Sequence, residues 1–106
     1  MKHVRIDNTG RRGWFVGNFE EAAYKTDAAE VIYYKQPAGR PGDHFHTVSV
    51  EIVLIVDGSI RCQGQTFING DIIILEPGEI NDMEYLVDTT LVGVKTPAKD
   101  DKKVLI

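Results

Sequence analysis

Two histidines separated by one residue, His44 and His46, are the side chains of this sequence best suited to chemistry. Side chains alternate between the two faces of a β-strand, so both imidazoles would project from one face. Glu51 has the opposite parity to His46, and an unbroken strand would send it to the other face. A bulge or bend between Thr47 and Val50 would return it to the histidine side. Two imidazoles and one carboxylate that converge form a ligand set suited to Fe(II), Mn and related divalent metals. Without a metal, the same histidines are candidates for proton transfer, because an unperturbed imidazole titrates near neutrality. Glu51 has a further option in an ion pair with Arg61 across the Asp57-Gly58 turn.

The elements that must carry these groups read as β-strands. Asp57-Gly58, Gln63-Gly64, Asn69-Gly70 and Pro77-Gly78 cut the second half into pieces of strand length. Between them lie runs rich in β-branched residues at 52–56, 66–68, 72–75 and 89–94. Residues 14–16 and 31–35 add two strands in the first half, and residues 36–43, with Pro37, Gly39, Pro41 and Gly42, form a loop. One helical turn is expected over residues 18–24, with Asn18 as its N-cap and Glu21 at the capping-box position. This spacing predicts an all-β sandwich or barrel.

Of the two adjacent tyrosines, Tyr33 and Tyr34, only one can face the interior of such a barrel. With Phe45 they are candidates for the walls of a ligand pocket, and either tyrosine could donate a proton. Glu76, Glu79 and Glu84 read as rim or solvated carboxylates, and Cys62 as a packing residue. The run Lys99-Asp100-Asp101-Lys102-Lys103 reads as a solvated turn before an apolar tail, which would add an edge strand or cover a neighbouring subunit. No Gly-rich phosphate loop, Ser-His-Asp order or Cys-x-x-Cys pair is present.

With 106 residues the chain is expected to form one domain spanning 1–106. Sixteen acidic residues against twelve basic ones leave a net charge of −4, which offers no footprint for nucleic acid. The longest apolar run, Ile52 to Val56, falls far short of the roughly 20 residues that span a bilayer. No apolar secretion segment follows Met1 to Arg5, and the lone Cys62 fits a reducing compartment, so a cytoplasmic location is expected. Because residues 52–56 are apolar at every position rather than alternating, both faces of that strand should be covered. A second subunit is the simplest cover, and a homodimer is expected.

Taken together, these residues resemble the two signatures of the cupin family. His44-x-His46, four residues, Glu51, six residues and Gly58 match the first signature. Four residues separate Gly39 from His44, where the family usually has five. In the second, Gly70 and Gly78 fit, while Glu76 stands where the family has a proline and Asn81 where it has a histidine. The motif-bearing part runs over about residues 39–97. The resemblance implies a cupin-type double-stranded β-helix (jelly-roll) barrel with His44, His46 and Glu51 as ligands of a divalent transition metal, Fe, Mn, Ni or Zn. Metal-binding members usually draw a fourth ligand from the second-signature histidine; an amide oxygen is a poor substitute, which makes Asn81 a candidate for ligand recognition.

Three functions are open at this level. A metal at His44, His46 and Glu51 would bind a small oxygen-containing metabolite or sugar derivative and permit isomerase or dioxygenase chemistry. The His-x-His strand is also similar to that of the sugar-nucleotide ketoisomerases of the superfamily, which would use His44 or His46 as a metal-free base with Tyr33 or Tyr34 as donor. A barrel that binds a carbohydrate or metabolite without turnover is the third, and Asn81 suits it best.

Overall fold

The computed structural model describes residues 1–106 and contains no α-helix, only a short 3-10 turn at Ile6–Asn8. Ten strands follow: β1 (Trp14–Val16), β2 (Glu30–Gln36), β3 (His44–His46), β4 (Val50–Asp57), β5 (Ser59–Cys62), β6 (Gln65–Ile68), β7 (Ile72–Leu75), β8 (Glu84–Tyr85), β9 (Thr89–Thr96) and β10 (Lys103–Leu105). The glycine-containing turns join them as their residues require. Gln63 and Gly64 both adopt positive φ (49° and 76°), the conformation of a two-residue hairpin, and connect β5 to β6. At Gly58 (φ 140°) a Cβ would run into the side chain and backbone of Thr89, so only glycine fits between β4 and β5.

All named strand pairs are antiparallel. The largest sheet has the order β1-β2-β9-β4-β7, a second holds β6-β5-β8, and β10 pairs with β3. The inner face of the large sheet carries Val53 and Ile55 of β4, Ile73 and Leu75 of β7, and Leu91 of β9. These meet Ile60, Cys62, Met83 and Tyr85 in one buried cluster. Burial of this apolar surface is what holds the two sheets face to face. Glu51 has the same parity as Val53 and Ile55 and so points inward from the near end of β4.

The outer face of the same sheet is also apolar. Register places Ile74, Ile52, Val94 and Val31 in one row across four strands, and Ile72, Leu54, Val92 and Tyr33 in the next. Ile72 and Ile74 are 58% and 56% exposed. This explains the unbroken hydrophobicity of residues 52–56: within the chain, one face of β4 is core and the other is a broad apolar surface.

Two expectations need correction. Residues 18–24 do not form a helix but bends around a single turn, closed by Ala22 N donating to Phe19 O at 3.2 Å. Their backbone groups are taken by strand β1 and its flank instead, with Ala23 N donating to Phe15 O at 2.8 Å and Gly17 N to Tyr24 O at 3.2 Å. Arg61 lies opposite Thr66 and Glu84, while Glu51 lies opposite Leu75 and Lys95, so the proposed Glu51–Arg61 pair does not form.

Candidate metal centre

Strand β3 ends at His46, and residues 47–49 break the strand before β4 begins at Val50. That break is the bend that convergence of the three residues required. It returns Glu51 to the side of the two imidazoles, with Glu51 Oε2 at 3.8 Å from His44 Nε2 and 3.7 Å from His46 Nε2. One potential ligand atom from each of the three residues lies within 4.8 Å of the others. These separations are too long for hydrogen bonds and suit three donors facing a common point.

The remaining polar atoms of the site are already engaged. Asn81 donates from Nδ2 to Glu51 Oε1 at 2.8 Å and accepts at Oδ1 from the Met83 amide at 3.0 Å. Its backbone pairs with that of His44 in both directions, at 3.1 and 2.7 Å, which places the second signature directly against the first. Asn81 therefore orients the carboxylate, and its own oxygen is spent on the backbone. His46 Nδ1 lies 2.7 Å from Asp101 Oδ2. His44 Nδ1 faces Gly42 O at 3.4 Å. Each imidazole thus keeps Nε2 for the cavity, and Glu51 keeps Oε2. Three nitrogen and oxygen donors with their far sides fixed form a set that fits a divalent transition metal.

Burial pushes the Glu51 carboxyl up, but the neighbouring His44, the Asn81 amide and the charge of His46 outweigh it and hold the group below the usual carboxylate range. Tyr85 moves the other way. Its burial, followed by the nearby Glu51 charge, raises the phenol to about 12, so it stays protonated at the cavity wall.

Two cavities meet at Glu51. One, of about 210 Å³, is lined by His44, Glu51, Asn81 and Tyr85 together with Lys103 and Leu105 of the C-terminal strand. The other, of about 140 Å³, also borders Glu51, Asn81 and Tyr85 and is lined by Val53, Met83 and Leu91. Tyr34 lines this second cavity, whereas Tyr33 lies on the outer face against Val4, Ile6 and Val92. Phe45 pairs with Val104 on the face of β3 opposite the histidines. The structure thus gathers His44, His46, Glu51 and Asn81, brings Tyr34 to the edge of the same space, and leaves Tyr33 and Phe45 outside it.

Asp101 was not foreseen. The run 99–103 read as solvated, yet the Asp101 side chain is only 6% exposed and accepts from the Val48 and Ser49 amides at 2.9 Å each, besides its contact with His46. No local pattern marks it. Its place follows from β10, which pairs with β3 so that Lys103 lies opposite His46.

No family model and no curated protein matches the chain. Solved structures do. A cupin protein from Bacteroides fragilis is 25% identical, with 69% of each chain covered and a TM-score of 0.56. An uncharacterised conserved protein with a double-stranded β-helix domain, from Klebsiella pneumoniae subsp. pneumoniae, is 16% identical; 98% of this chain and 90% of that one are covered, at a TM-score of 0.69. The DMSP lyase DddQ from Ruegeria pomeroyi is 17% identical over 87% of this chain and 49% of its own, at a TM-score of 0.63. The resemblance carried by the two signatures and the architecture of these neighbours agree: the chain is a small protein of the cupin, double-stranded β-helix fold.

Proposed function

We propose that the protein binds a divalent transition metal, Fe, Mn, Ni or Zn, through His44, His46 and Glu51, and with it a small oxygen-containing metabolite or sugar derivative. The observation that carries this reading is the convergence of the three donor atoms within 4.8 Å while their opposite sides are held by Gly42, Asp101 and Asn81. A metal with only three protein ligands keeps positions open, and would supply Lewis-acid or oxygen-activating chemistry of the isomerase or dioxygenase kind. The chain's own contribution is to aim the donors, to keep Tyr85 protonated at the wall, and to limit the ligand to what the adjoining cavities admit.

Lys103 at the wider cavity gives that space a cationic group, which favours a ligand with an anionic or strongly polar oxygen end. The working form is a cytoplasmic homodimer, with the two apolar rows of the outer face buried against a second copy.

The test is the metal content of tag-free protein purified without chelator or added metal, measured by elemental mass spectrometry. Near-stoichiometric metal that disappears in the His44→Ala/His46→Ala double variant, with a β-rich far-UV spectrum retained, supports the proposal. Metal unchanged in that variant would refute the ligand assignment. Protein that carries less than about a tenth of an equivalent and takes up none on incubation retires the metal altogether. The site would then be read as a recognition pocket built around Asn81, and metal-free turnover of a ketosugar nucleotide would point instead to histidine acid–base catalysis.

A further inference from the structure

We propose that Asp101 is a positioning residue: its carboxylate fixes the proton of His46 on Nδ1 and so leaves the Nε2 lone pair facing Glu51 and the cavity. The consequence for metal binding rests on the reading above; the tautomer itself does not.

The two oxygens of Asp101 have separate tasks. Oδ1 accepts from the Val48 and Ser49 amides, each at 2.9 Å, and so pins the break between β3 and β4. Oδ2 faces His46 Nδ1 at 2.7 Å, and both side chains are almost fully buried, 6% and 5% exposed. An ionised carboxylate can only accept, so the imidazole nitrogen that faces it must donate. In a neutral ring the other nitrogen is then bare. That nitrogen, Nε2, is the atom directed at Glu51 Oε2. A carboxylate behind a ligating imidazole both orients the ring and raises its donor strength.

This division of labour makes Asp101→Asn informative. The two backbone N–H groups of residues 48 and 49 require an acceptor, so the amide oxygen must take the place of Oδ1. The amide NH₂ then faces His46 Nδ1, which must become the acceptor. The proton moves to Nε2, and the lone pair offered to the cavity is lost, while the backbone clasp survives. A purely structural role for Asp101 would leave the tautomer unchanged in this variant.

The experiment uses the full chain, metal-free, with ¹⁵N-labelled histidine at about pH 8, above the usual imidazole range. Long-range ¹⁵N–¹H spectra distinguish protonated from bare ring nitrogens. The expected result is a protonated Nδ1 and a bare Nε2 for His46 in the wild type, with the two exchanged in Asp101→Asn. Titration with Co(II) should show the variant's affinity lower by about 10- to 100-fold, at unchanged far-UV circular dichroism. A wild-type His46 with its proton on Nε2 would overturn the proposal without any variant. So would an Asp101→Asn protein that keeps the wild-type tautomer and Co(II) affinity. Exchanged tautomers in proteins of which neither binds Co(II) would uphold the role of Asp101 and sink the metal reading.

Discussion

Asn81 donates to Glu51 Oε1 at 2.8 Å across 30 residues of sequence, so the residue that replaces the second-signature histidine holds the carboxylate of the first. The substitution has not left a gap in the site. Where the second signature has a histidine, this chain has an amide that aims the Glu51 carboxylate.

Replacing Asn81 by alanine should therefore be costly on two counts. It leaves one Glu51 oxygen and the Met83 amide without partners in a buried setting, which costs about 1–3 kcal/mol. Urea unfolding of Asn81→Ala should show a lower midpoint at an unchanged slope, and the released carboxylate should bind Co(II) more weakly. An unchanged midpoint would mean that water replaces the amide at no loss.

Acid should destabilise the metal-free protein through Asp101. Burial acts to raise its carboxyl, but the amides of Ser49 and Val48 and then His46 prevail and hold it at about 2. The folded value lies below the unfolded value of roughly 3.9, so the stabilisation is complete above the unfolded pKa and is lost as pH falls through the folded one. The difference corresponds to about 2–3 kcal/mol, lost between about pH 5 and pH 1. Unfolding midpoints measured across this range should fall for the wild type and fall less for Asp101→Asn. Parallel slopes for the two proteins would show that other carboxylates govern the acid limb.

Cys62 should be inert in the native protein. Burial, followed by the nearby Asp82 carboxylate, raises its thiol to about 11, and only the thiolate is nucleophilic. Ellman's reagent at about pH 8 should label the folded chain far more slowly than the unfolded chain, where the thiol returns to roughly 8.5. Rapid stoichiometric labelling without denaturant would show that the core around Cys62 opens readily.

The outer apolar rows predict the effect of Ile74→Lys. A charge at the end of the row Ile74-Ile52-Val94-Val31 is solvated in the isolated chain but must be desolvated in a dimer that buries this face. Dimer affinity should drop at least roughly tenfold, since each buried isoleucine contributes about 1.5–3 kcal/mol. Sedimentation equilibrium of wild type and variant checks this, and a wild-type monomer at all concentrations would end the dimer proposal.

Much of this molecule was legible in one dimension because its information is local. The glycine turns at 58 and 64 and the β-branched runs between turns depend on neighbouring residues only, and they appear as strands close to where the pattern put them. The His-x-His parity is equally local. Alternation alone puts Glu51 on the opposite face unless a bend intervenes between Thr47 and Val50, and residues 47–49 supply that bend. Residues 18–24 stop at a single turn because the backbone groups that would extend it pair with strand β1 and its flank.

By itself, the sequence determined that the chain is a β-protein, that two imidazoles share a face, and that a carboxylate could join them, since each depends only on side-chain alternation and turn chemistry. Tertiary structure alone decided what lies behind those groups. Asp101 reaches His46 across 55 residues because β10 pairs with β3 in one register, and Asn81 reaches Glu51 because its backbone pairs with His44. Long-range register is set by the packing of whole sheets, and no short stretch of sequence carries it.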